Sequence, residues 1–83
     1  MNTTIDLDNV KEMYLGFANA LLPTNWPTDK GGTFMCFACK NNPNYMAIQV
    51  VFGNRFTDGN RIYYRTAWGS TFGYGNWKTI QPT

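Results

Sequence analysis

At 83 residues the chain makes one domain at most, with a core so small that disulfides, metals or subunits are its usual supplements. Charged residues form 14% of it, against about 25% in ordinary soluble domains, while aromatics reach 17% and Asn and Thr are abundant. That balance excludes disorder and a long solvated helix and suits turn-rich β-structure; the net charge of +2 is too dispersed for a nucleic-acid footprint, and the lack of His removes the usual general base and metal ligand.

The first residues carry no basic stretch followed by an apolar run, so no signal peptide is expected. From Asp6 to Leu22 two readings stand side by side. Asp8 caps a helix on which Val10, Met13, Tyr14, Phe17 and Leu21 recur, or Tyr14–Leu22 runs as an extended apolar strand. Pro23 ends the element in either case. Leu22 to Gly32 is a loop of Pro, Asn, Asp and Gly that holds Trp26.

Thr33 to Cys39 is a strand of Phe, Met, Cys and Ala without alternation, so burial on both faces is expected. After a turn at Lys40–Asn44 comes a stronger strand, Met46 to Phe52. Met46, Ile48, Val50 and Phe52 share one face, and Ala47, Gln49 and Val51 the other. Asp58-Gly59 is the dipeptide of a two-residue hairpin turn. A tight turn there sets Phe52 opposite Arg65, unless Gly53 and Asn54 bulge and shift the register. The returning strand, Arg61 to Trp68, places Ile62, Tyr64, Thr66 and Trp68 on one face and Arg61, Tyr63, Arg65 and Ala67 on the other. A Gly-rich turn over 69–75 leads to a closing strand over 76–80. Four or five short strands with such turns predict an all-β domain: a small antiparallel sheet or sandwich, with at most one N-terminal helical turn. No apolar run approaches the ~20 residues that span a bilayer, so membrane insertion is not expected.

Chemistry is sparse. Cys36-Phe37-Ala38-Cys39 has the spacing of half a zinc site, but without His or a third Cys only carboxylates complete four ligands. Two buried, reduced thiols, and no metal or cofactor, are expected. The carboxylates Asp6, Asp8, Glu12, Asp29 and Asp58 show no pairing for glycosidase chemistry, and the lone Ser70 has no His partner. We therefore expect no enzyme. Arg61, Tyr63 and Arg65 read as cross-strand neighbours rather than a base-stacking site, with a weak anionic site left open if Arg55 joins Arg61 and Arg65. Trp26, Tyr45, Trp68 and Tyr74 sit in or beside loops, where rings stack on sugars while Asn25, Asn44, Gln49 and Asn76 bond hydroxyls. The alternative is that these rings fold back over a small core. Trp77 reads as core.

Gln49-Val50-Val51-Phe52, Arg61-Ile62-Tyr63-Tyr64-Arg65-Thr66 and Gly75-Asn76-Trp77-Lys78-Thr79-Ile80 together resemble the pyocin-knob type domain of phage tail fibres. Asp6-Leu7-Asp8-Asn9, Asn25-Trp26-Pro27 and Gly32-Thr33-Phe34-Met35 extend the likeness over residues 6–80, leaving 1–5 as an N-terminal extension. Met13 stands where that pattern carries Gly before Tyr14, and Trp26 and the cysteine pair are additions. The resemblance implies a single knob on a homotrimeric fibre or baseplate, folded in the host cytoplasm and carried on the virion. It implies recognition of a host-surface glycan or other receptor. It also favours the strand reading of Tyr14–Leu22.

Overall fold

The computed structural model describes the backbone of residues 1–41, 44–68 and 73–82, and the side chains of these except residues 40, 41, 44 and 45. A short 3-10 turn, Leu7–Asn9, precedes β1 (Tyr14–Ala18), β2 (Gly32–Asn41), β3 (Asn44–Gly53), β4 (Ile62–Trp68) and β5 (Lys78–Ile80). All five strands lie in one antiparallel sheet, in the order β1-β2-β3-β4-β5. The fold is all-β, and of the two architectures expected it is the single sheet: no second sheet packs on it among the described residues.

Between helix and strand at the N-terminal element, the strand wins, but it runs over Tyr14–Ala18 and stops short of Leu22. β1 pairs with β2 from Tyr14↔Cys36 to Ala18↔Gly32, and the ladder hydrogen bonds outweigh the weak helical spacing. The helical turn is capped by Asp6 rather than Asp8: the Asp6 carboxylate accepts from Asp8 N–H at 2.9 Å. That bond, with a second from Asn25 Nδ2 at 2.7 Å, holds the Asp6 carboxyl below its usual range.

The hairpin between β3 and β4 departs from the tight Asp58-Gly59 turn. Its register sets Phe52 opposite Ile62 and Gln49 opposite Arg65, rather than Phe52 opposite Arg65. The turn is centred one residue later. Asp58 C=O accepts from Arg61 N–H at 3.1 Å, with Gly59 at φ 60° and Asn60 at φ 57° between them. Both central residues thus take the left-handed conformation that a primed turn requires and that Gly and Asn tolerate best. Residues 54–57 are extra chain, folded by an Asn54 C=O···H–N Asp58 bond at 2.8 Å. Asp58 is then drawn inward. Its carboxylate accepts from Tyr63 O–H at 2.7 Å and pairs with Arg61 at 3.1 Å.

The sheet buries one face only. Leu7, Phe34, Cys36, Val51 and Tyr63 form the core, with Met1, Ile5, Val10, Tyr14, Trp26 and Trp77 packed around it. Each fully buried large side chain stabilises by about 1.5–3 kcal/mol. The lid over this face is irregular chain: the N-terminal ten residues, the Trp26 loop and the stretch before β5. Two backbone bonds join the first two pieces, Leu7 N–H to Thr24 C=O at 3.1 Å and Thr24 N–H to Ile5 C=O at 3.2 Å. Trp77 Nε1–H to Asn25 C=O, at 2.8 Å, ties in the third.

β2 is therefore covered on one side rather than both. Phe34 and Cys36 are buried, Phe37 is 43% exposed, and Cys39 stands in solvent, so only one of the two free thiols is inside. Burial pushes the Cys36 thiol pKa up. The body is a slab, 42 × 30 × 17 Å, no thicker than a sheet and one covering layer. Among the described residues no helix is long and apolar enough to cross a membrane.

Candidate functional site: a neutral groove at the end of the sheet

Beneath the lid, the buried face carries a polar centre. Gln49 is fully buried and donates from Nε2 to Leu7 C=O at 2.7 Å and to Val10 C=O at 3.2 Å. Its Oε1 accepts from Arg65 Nε at 2.8 Å. Arg65 reaches Asp8 at 2.8 Å through Nη1, and its guanidinium lies 4.5 Å from the centres of both the Tyr74 and Trp77 rings. A planar cation between two rings suits the attraction of each π-face. Its Nη2 has no hydrogen-bond partner among the described residues. The network is structural in its contacts: it sews the N-terminal turn and the stretch before β5 onto the sheet.

That network places two of the ring residues expected to meet a ligand. Tyr74 O–H donates to Val10 C=O at 2.6 Å, and burial raises its pKa far above the ordinary phenol. Trp26 packs on Phe34 with ring centres 6.3 Å apart, and its indole N–H donates to Lys30 C=O at 2.8 Å. In both, the polar edge that would orient a sugar is engaged by the chain itself. Trp68 stays 66% exposed, at the end of β4. The Tyr45 side chain lies outside the described residues. The structure does not bring Trp26, Trp68 and Tyr74 together: Trp26 and Tyr74 belong to the lid side, and Trp68 to the opposite face.

A different concavity forms where β1, β2 and β3 end. It is a groove of about 430 Å³ whose rim is Phe17, Asn19, Thr33, Phe52, Asn54 and Thr57. Ala18, Gly31, Gly32 and Gly53 complete its lining, the glycines as bare backbone. The glycines are required by close approach. A Cβ on Gly31 would stand 2.4 Å from Ala18 C=O, and one on Gly32 would stand 2.5 Å from Phe52 C=O. Phe17 and Phe52 flank Thr33 across the register and are 67% and 43% exposed. Asn54 is held by accepting Phe56 N–H at 2.7 Å. No lining residue carries a charge. Flat apolar rings beside amides and hydroxyls are the chemistry that accepts a neutral, hydroxyl-rich ligand.

The sequence reading missed this groove because Phe17 and Phe52 sit inside strands and Asn19 and Asn54 just beyond them. The signal was there in Gly31-Gly32 and Gly53, which mark strand ends approached by other backbone. The positively charged cluster left open by Arg55, Arg61 and Arg65 does not assemble as such. Arg65 is buried against Asp8, Arg61 pairs with Asp58, and Arg55 lies over the Phe56 ring at 4.3 Å. Among the described residues no three His, Cys, Asp or Glu side chains gather as a metal set. No protein-family model, no curated protein and no solved structure matches this chain.

Proposed function

We propose that the chain is a recognition module of a phage tail fibre or baseplate that holds a host-surface glycan, acting by reversible adhesion rather than catalysis. One observation carries the reading: the uncharged groove lined by Phe17, Asn19, Thr33, Phe52, Asn54 and Thr57 together with three glycines. A neutral sugar finds there two ring faces, four polar side chains and backbone close enough to bond. The carboxylates support adhesion over turnover, since Asp6 caps a turn, Asp8 and Asp58 pair with arginines, and Asp29 lies beside Lys30. Presentation in three copies, as the resemblance to pyocin-knob domains implies, adds avidity to a weak single site.

The test is a glycan array followed by titration of the best hit. Asn54→Ala combined with Phe52→Ala should weaken binding at least tenfold while the far-ultraviolet spectrum is kept. Unchanged affinity in that folded variant would remove the groove from the proposal. A second reading makes the chain an assembly element of a fibre, with recognition carried elsewhere. The uncovered apolar face of the sheet favours it, and an array silent to the folded protein would select it.

A further inference from the structure

The face of the sheet opposite the lid is apolar and uncovered among the described residues. The ladder arranges it in rows that cross the strands. One row runs Leu15, Met35, Val50, Tyr64 and Lys78. The row beyond it holds Phe37, Ile48 and Thr66, with Met13 leading into β1, and the last holds Cys39, Met46 and Trp68. Leu15 is 70% exposed, Met13 and Trp68 66%, and Met46 51%. Lys78, at the margin, is the one charged side chain in these rows.

We propose that this face packs against the same face of a second copy of the chain, sheet on sheet. The inference stands on the apolar face, a different observation from the groove, and holds whatever the groove binds. Area is the first argument. The large apolar residues of these rows, Met13, Leu15, Phe37, Ile48, Met46 and Trp68, present on the order of 700 Å² if each offers about 200 Å² when fully open. A monomer's largest apolar patch is about 300–600 Å², and a stable complex buries about 800 Å² per partner. The face exceeds the first figure and comes close to the second.

Chemistry is the second argument. With a single lysine at its margin, the face offers little to attract an acidic or basic partner, whereas a copy of itself brings matching Leu, Met, Ile and Phe. Two such sheets pack about 10 Å apart in the aligned arrangement of β-sandwiches. Shape is the third. A 17 Å slab paired back to back gains the second layer that a sheet of this composition lacks alone. Growth through the β1 edge is hindered, because the Met1 backbone nitrogen donates to Phe17 C=O at 2.9 Å.

Light scattering of the 9.5 kDa chain at about 50 μM should read the mass of two copies. Leu15→Lys with Met46→Lys, both at positions that tolerate charge in the lone chain, should return the mass to one copy with the β spectrum kept. A second readout needs no variant. Cys39 lies on this face and Cys36 is buried, so the reaction of Cys39 with a thiol reagent should slow at least tenfold from dilute to concentrated protein. A monomer at 200 μM with concentration-independent labelling would overturn the proposal. So would an association that the double Lys variant leaves intact, or a face that binds zwitterionic lipid vesicles while the protein stays monomeric. Asn54→Ala with Phe52→Ala reads the groove separately, through glycan affinity at unchanged mass.

Discussion

Replacing Gln49 by Met tests whether the polar centre under the lid holds the fold together. The substitution keeps the side chain's length and volume and removes three hydrogen bonds: to Leu7 C=O at 2.7 Å, to Val10 C=O at 3.2 Å and from Arg65 Nε at 2.8 Å. The two carbonyls keep a second donor each, Val10 N–H at 3.1 Å and Tyr74 O–H at 2.6 Å, so their loss is about 0.5–1.5 kcal/mol apiece. Arg65 Nε–H fares worse. It is charged, 6% exposed with its residue, and sits beside an Nη2 without a partner among the described residues, which costs about 1.5–3 kcal/mol. The sum is about 2.5–6 kcal/mol, against a total of about 4–12 kcal/mol for a domain of this length. Urea unfolding at fixed chain concentration should show a midpoint lower by two molar or more at unchanged slope. Arg65→Met completes a double-mutant cycle, and the paired loss should fall short of the sum by at least about 1 kcal/mol. A loss below about 1 kcal/mol in Gln49→Met, or strict additivity, would refute the reasoning.

Two further outcomes follow from the same contacts. Burial, and for Tyr63 its bond to Asp58, raises the pKa of Tyr63 above 10.0, and burial raises Tyr74 likewise and Cys36 above 9.0. Groups raised on folding stabilise fully below their unfolded values and lose that contribution as pH climbs through the folded ones. The urea midpoint should therefore fall from about pH 9 upward and steeply above 10; a flat midpoint to pH 11 would contradict the burial of these groups. Gly32→Ala should cost about 1–3 kcal/mol, because its Cβ would meet the Phe52 carbonyl at 2.5 Å in a three-strand ladder that has no room to yield. Calorimetry with an unchanged melting temperature would show that β2 and β3 can part there.

How much was legible in the residues is clearest at the strands. Alternation over Met46–Phe52 and Arg61–Trp68 set the faces of these strands correctly, although the second begins at Ile62, because side chains on a strand must alternate whatever surrounds them. The left-handed turn was legible in Asp58-Gly59 to within one residue. Its true centre, Gly59-Asn60, depended on Tyr63 and Arg61 holding the Asp58 carboxylate inward. The groove was half legible, through glycines at strand ends whose meeting needs the ladder to be known.

What the sequence alone determined is local: all-β character, strand parity, turn chemistry, and a chain too short for a large core. What only the tertiary structure decided is which side of the sheet faces in. By hydropathy, the face of Met46, Ile48 and Phe52 has the stronger claim to burial over the face of Gln49 and Arg65. The lid reverses it, because the carbonyls of Leu7 and Val10 and the carboxylate of Asp8 meet Gln49 and Arg65 there, partners 39 to 57 residues away in the chain. Hydrogen bonds between segments so distant have no local pattern. The apolar face that burial would have claimed is left open by the same choice.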